Sequence, residues 1–261
     1  MLTPRQKELL AKMELEYAPI AVKFSHNLPD SIERCHEKLP LCAYLKTAQD
    51  TGKTFYVDLK DEACMGSCVL GYKDFEGFAS SGVIGFEHGF FRSAACNARI
   101  YHEISTLKRG SCNYVVFSPA VDCNFSPDLI IFVVPPEKAE LVLRASSYTN
   151  GDPYESKSTI ALSCAWTYAY PYITGKINFC ITGVHFGMRK MKMYPAGLHV
   201  LTVPYQKIDD LLIGLDEMEW DLIGLTDDPE IKAISDASDA KAMAMADAHK
   251  PFVLDERLRR L

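Results

Sequence analysis

A chain of 261 residues, 48% hydrophobic and 24% charged, has the makeup of a folded protein able to bury one large core. Its net charge of −6 provides no basic surface for nucleic acid, and the short basic stretch Arg257-Leu258-Arg259-Arg260 does not alter that balance. No apolar run approaches the ~18–20 residues of a membrane helix, and the first residues do not form a signal peptide, so a soluble, cytoplasmic protein is expected.

In chain order, Thr3, Pro4 and Gln6 form a helix-starting pattern, with Thr3 as cap and Gln6 placed to complete a capping box. The spacing predicts a helix from Thr3 to Tyr17, a strand over Ile20–Phe24, and a second helix from Leu41 to Asp50 that stops at Gly52. A strand over Thr54–Leu59 follows. Glycines 66, 71, 77, 82, 85 and 89 then mark a loop-rich excursion. Helix is expected again over Ser93–Lys108, ending at Gly110. The apolar runs Tyr114–Phe117 and Leu129–Val134 read as buried strands. Beyond Glu217 the chain is acidic and alanine-rich, and a helix over Asp228–His249 is expected there.

Two blocks recur. Leu129–Glu140 and Leu198–Asp209 each read as a buried strand, a Val-Pro corner and an amphipathic helix, proline ending the ladder and presetting φ for the helix. Upstream, Cys42-Ala43-Tyr44 leads to Thr51-Gly52-Lys53 and a strand. Cys164-Ala165-Trp166 leads likewise to Thr174-Gly175-Lys176 and the strand Ile177–Cys180. The predicted fold is therefore α/β, with mixed α+β as the alternative, as a single domain over 1–216. Its pseudo-repeated halves are 42–150 and 164–216, the first carrying an insertion over 71–112. Residues 217–261 form a C-terminal appendage, a candidate clasp for a second subunit in a homodimer.

Familiar motifs fail on physical grounds. Gly52-Lys53-Thr54 follows a helix and precedes a strand, the reverse of a phosphate-binding loop. His102-Glu103 lacks the second histidine of a zinc protease, and His185 and His199 read as structural. What remains is nine cysteines in a chain of cytoplasmic character, where a disulfide scaffold is not expected and thiols serve as core residues, nucleophiles or metal ligands. Cys64-Met65-Gly66-Ser67-Cys68 puts two thiols on one face if it is helical, with Gly66 allowing close approach of a bulky ligand. If the halves are related by a pseudo-two-fold axis, Cys42 and Cys164 occupy equivalent helix starts, where the helix dipole favours thiolate. Cys64 (or Cys68) and Cys180 then lie near the ends of equivalent strands. Four thiols from separated segments suit an iron–sulfur cluster, of [4Fe–4S] type, better than structural zinc, which usually takes paired cysteines. Cys35, Cys96, Cys112 and Cys123 have no repeat partner and read as core or incidental thiols.

The pattern Pro19–Phe24, Cys42, Cys64-Met65-Gly66 with Leu70-Gly71, then Cys164, Asn178–Gly183 and Val203-Pro204, resembles the prokaryotic family called domain of unknown function 169, over about residues 10–215. Here Gly183 is followed by Val-His-Phe-Gly before Arg189, where the family tends to carry Gly-x-Arg sooner. The resemblance implies no activity. The expected function is an iron–sulfur or other thiolate-metal protein with a redox, sensing or cofactor-handling role, its ligands drawn from Cys42, Cys64, Cys68, Cys164 and Cys180, working with a redox partner or a small-molecule ligand. The alternative is an enzyme or small-molecule-binding protein with a pocket between the halves, lined by Tyr44, Gly66, Trp166 and Tyr168, its cysteines structural.

Overall fold

In the computed structural model, which describes residues 2–221 and 228–248, the predicted capping box closes: Gln6 N donates to Thr3 Oγ1 at 3.3 Å and Thr3 N donates to Gln6 Oε1 at 2.8 Å. Helix α1 (Pro4–Lys12) is shorter than its pattern suggested, ending where Glu14 turns to positive φ. Strand β1 is Ile20–Ser25, and α2 is Leu41–Thr51, stopped by Gly52 at φ +64°. Strand β2 (Phe55–Asp58) follows. The glycine-punctuated stretch is not plain loop: it folds into three short helices, α3 (Gly66–Val69), α4 (Gly77–Ser80) and α5 (Val83–Glu87). Helix α6 (Ala94–Glu103) is capped by Ser93 and ends five residues before its predicted stop.

Strands β3 (Tyr114–Pro119) and β4 (Leu129–Val134) precede α7 (Pro136–Ser147). The second cysteine-led helix opens at residues 163–164, runs as a π-helix over Ala165–Ala169 and continues as α8 (Tyr170–Thr174). Gly175 ends it at φ +66°, as Gly52 ends α2. Then come β5 (Asn178–Ile181), α9 (Phe186–Lys190), β6 (His199–Pro204) and α10 (Ile208–Glu217).

The strands form one antiparallel sheet in the order β2-β3-β1-β4-β6-β5. Side chains of a strand alternate between faces. Ile20 and Val22 of β1, Val115 and Phe117 of β3, Ile131 of β4 and Val200 of β6 point to one face. There they pack with Tyr44, Leu45, Trp166 and Tyr168 from the two cysteine-led helices in the main core. The alternate residues, among them Ala21, Val116, Ile130 and Leu201, are equally buried, on the face where α7 packs against α10 and β6.

Outward from the β1–β4 seam the order is β1, β3, β2 on one side and β4, β6, β5 on the other. α2 leads to the edge strand β2 and the Cys164 helix to the edge strand β5. The two Val-Pro blocks do not correspond in this order. They are neighbours, β4 pairing antiparallel with β6 from Leu129↔Pro204 to Val134↔His199, so their corners lie at opposite ends of the sheet. The β2–β3 connection carries α3 to α6, and the β5–β6 connection carries only α9.

The chain divides into two compact units, Met1–Met218 and Glu219–Leu261. In the second, α11 (Pro229–Ala248) is the helix expected there, its described side chains nearly all exposed. His249 and the basic stretch 257–260 lie outside the described residues.

Candidate functional site

Three of the predicted thiols meet. Cys42, in the first turn of α2, Cys64, in the loop before α3, and Cys164, in the first turn of the second cysteine-led helix, line one cavity of about 210 Å³. Gly66, Glu62, Asn97 and Tyr101 line it as well, and its remaining wall is mainly apolar, with Ile84, Phe90, Leu162, Phe186 and Met191. Phe90 and Phe186 pack with ring centroids 4.8 Å apart, joining α9 to the loop after α5.

Glu62 organises the thiol wall. Its carboxylate is buried, Oε1 accepting from Leu41 N at 3.0 Å and Oε2 from Ser67 N at 3.1 Å. One carboxylate thus satisfies donors at the starts of both α2 and α3, where the helix dipoles favour negative charge. The fit requires a glycine at 66: a Cβ there would lie 2.8 Å from Leu41 Cβ and 2.9 Å from Glu62 Oε1. From the other side Tyr168 donates its hydroxyl to Leu41 O at 3.3 Å, tying the two cysteine-led helices together.

The expectation that helix starts favour thiolate is reversed by the surroundings. Burial pushes the Cys42 thiol up to about 12, with Cys64 and Glu62 adding to it, and the backbone N–H groups of the helix start offset only part of this. Cys64, the most open of the three, is raised by burial and by Glu62. Cys164 is raised well above the ordinary thiol range, by burial and then by Glu62, Cys64 and Cys42. Glu62 acts on all three thiols, and Cys64 acts on both Cys42 and Cys164. Without a cation, all three are neutral thiols at neutral pH.

The other candidates sit elsewhere. Cys68, in α3, is buried and donates to Asp74 O at 3.4 Å. Cys180 faces the core from β5, 3.8 Å from both Val200 O and His185 Nδ1, and does not line the cavity. Burial pushes it up to about 12 and pulls His185 down to about 4, so the two form a neutral buried contact and not a charged pair. Tyr44, Trp166 and Tyr168 are core residues rather than pocket walls. Tyr44 donates to Glu37 O and accepts from Leu39 N, and the Trp166 indole donates to Thr159 Oγ1. None of Cys35, Cys96, Cys112 and Cys123 lines the cavity. Glu62 and Asn97 carried no motif, and only the folded arrangement reveals them.

Among the described residues, no group of three His, Cys, Asp or Glu side chains is placed to hold a single metal ion, and no helix is long and apolar enough to cross a membrane. The family model of domain of unknown function 169, described as uncharacterised ArCR, matches residues 8–214. The chain belongs to this family. No curated protein and no solved structure matches it.

Proposed function

We propose that this member of the family binds a thiolate-metal centre, an iron–sulfur cluster, on Cys42, Cys64 and Cys164, for a redox, sensing or cofactor-handling role. The observation that carries the reading is the meeting of three thiols, from positions 42, 64 and 164, in one cavity. A single zinc ion would need donors about 2.3 Å from one centre, an arrangement absent among the described residues. A cluster binds each sulfur through a different iron, so its ligands stand further apart, and a cavity between them suits it. The donor chemistry fits as well: three thiols each disfavoured as anions by burial and by Glu62, with Cys64 adding to the effect at Cys42 and at Cys164, are a set that a cationic centre stabilises, with release of their protons.

In this reading Glu62 fixes the start of α2, which carries Cys42, and the start of α3, just after the loop that carries Cys64, and Gly66 lets the two approach. Cys42, Cys64 and Cys164 would hold the cluster, with a small-molecule ligand or a redox partner as the counterpart of its chemistry. The cluster itself supplies electron transfer and Lewis acidity when bound.

The test is anaerobic purification of the full chain. Broad absorbance near about 400 nm with iron and sulfide in the protein is the expected result. Cys42→Ser and Cys164→Ser should lose most of the iron, and Cys180→Ser and Cys68→Ser should keep it. Colourless, metal-free protein after anaerobic reconstitution with iron and sulfide would overturn the reading, as would iron that survives both Cys42→Ser and Cys164→Ser.

A further inference from the structure

A second cavity, of about 260 Å³, lies at the end of the sheet where the start of β4 meets the end of β6, Leu129 pairing with Pro204. Pro127, Asp128, Tyr172, Pro204, Tyr205 and Gln206 line it, so the second Val-Pro corner forms part of its wall. Asp128 is the one charged residue among them. Its main-chain groups are both engaged, N donating to Val22 O and O accepting from Tyr205 N, each at 2.8 Å. One carboxylate oxygen is engaged as well: Oδ2 accepts from Phe24 N at 2.7 Å. The other, Oδ1, accepts no hydrogen bond from the described residues and is not shut off from solvent. Oδ1 is therefore the polar atom that Asp128 offers to an occupant.

The charge there is only partly compensated. Burial pushes the Asp128 carboxyl up from its ordinary range, and the Phe24 N–H and Lys23 offset part of this. Lys23 stands outside the lining, its Nζ donating to Ser126 O at 2.8 Å. The rest of the lining suits a cation with a hydrocarbon body. Tyrosine attracts cations through its ring face and its phenol oxygen, and the two prolines are apolar walls with no N–H to donate. The Tyr172 ring is steadied by Phe24, centroids 4.8 Å apart, and its hydroxyl has no partner among the described residues. A hard metal ion takes about six oxygen ligands or more and finds one open carboxylate oxygen here. A guanidinium fork prefers both oxygens of a carboxylate, and one is held by Phe24 N. The tyrosine hydroxyls and the Gln206 amide can donate to an anion, but they carry no charge to offset Asp128.

We propose that this cavity binds a small organic ammonium ion, which donates one N–H to Asp128 Oδ1 and lays its hydrocarbon against the tyrosines and prolines. The site shares no lining residue with the thiol cavity, and the proposal does not rest on a metal centre. A free amine and the lysine side chain of another protein carry the same group, so the test includes both.

The probes are n-butylammonium, n-butylguanidinium, n-butanol and butanoate, with Nα-acetyl-lysine amide representing a lysine side chain, titrated into the full chain near neutral pH and read by ligand-observed NMR. Butylammonium should bind about tenfold more tightly than butanol, the worth of a charge-assisted hydrogen bond over a neutral one, with butylguanidinium weaker than butylammonium and butanoate weakest. Asp128→Asn, which keeps an acceptor for Phe24 N, should weaken butylammonium about tenfold and leave butanol within about twofold. Lys23→Met removes the neighbouring positive charge and should tighten butylammonium by about two- to threefold. Should the asparagine variant fail to fold, the wild-type ratio of ammonium to alcohol and the response to Lys23→Met still decide. Equal affinities for butylammonium and butanol would overturn the proposal, as would tightest binding of butanoate or of butylguanidinium, or no binding of any probe. Butylammonium affinity unchanged in Asp128→Asn would overturn it too. Tighter binding of the lysine amide than of butylammonium would uphold the site and assign it to a protein side chain, and the reverse order would uphold it for a free amine.

Discussion

Glu62→Ala tests whether one carboxylate holds the thiol wall together. The substitution removes both acceptors from Leu41 N and Ser67 N, bonds of 3.0 and 3.1 Å in a buried setting. Hydrogen bonds to a charged group are worth about 1.5–3 kcal/mol each, so the loss is about 3–6 kcal/mol. For a domain of this size each kcal/mol moves Tm by about 2–4 °C, giving a fall of at least about 6 °C. Glu62→Gln keeps one acceptor oxygen but turns an NH2 toward the other backbone donor, and should cost about half as much. Urea and thermal denaturation measure both. The carboxylate also adds to burial in raising Cys42, Cys64 and Cys164, so the folded Gln variant should alkylate faster at these three thiols at pH 8. Cys112, fully buried and shifted upward by burial without Glu62, reports any general opening of the fold. A stability loss below about 1 kcal/mol in Glu62→Ala, or alkylation that rises equally at Cys112, would refute this account of Glu62.

Two further outcomes follow from the same geometry. Gly66→Ala drives a methyl group against Leu41 Cβ and Glu62 Oε1, and should cost about 1–3 kcal/mol in urea denaturation and weaken any metal retained by the thiols. Alkaline pH should destabilise the fold: burial pushes Cys42, Cys112 and Cys180 up to about 12, whereas an unfolded thiol titrates near about 8.5. Between those values the unfolded chain holds fewer protons than the folded one, so stability present below about pH 8.5 falls as pH rises. Cys112→Ala should make that fall shallower by about 1.4 kcal/mol per pH unit, measured by denaturation at pH 8, 9 and 10.

Local rules were legible in the sequence because short-range physics decides them. The Thr3 capping box, the glycine stops at 52 and 175 and the apolar runs of β1 and β4 formed where their patterns placed them. So did the cysteines opening two helices, and the family was legible from the same residues. The short helices inside the glycine-rich excursion were not, since each is only a turn or so and is held by its surroundings rather than by periodicity. Strand order was also beyond the sequence: two blocks that look alike became antiparallel neighbours, because pairing depends on long-range packing and not on local pattern. The same reason separates Cys180 from the other thiols. Its place in β5 turns its side chain into the core beside Val200, while the loop before α3 carries Cys64 to the helix starts of Cys42 and Cys164. Glu62 completes the pattern, since a carboxylate bridging two helix starts exists only as contacts between separate segments. The sequence by itself determined which residue types and helix starts were available; tertiary packing decided which of them face one cavity, because convergence of residues 42, 64, 97 and 164 is a property of the assembled layers.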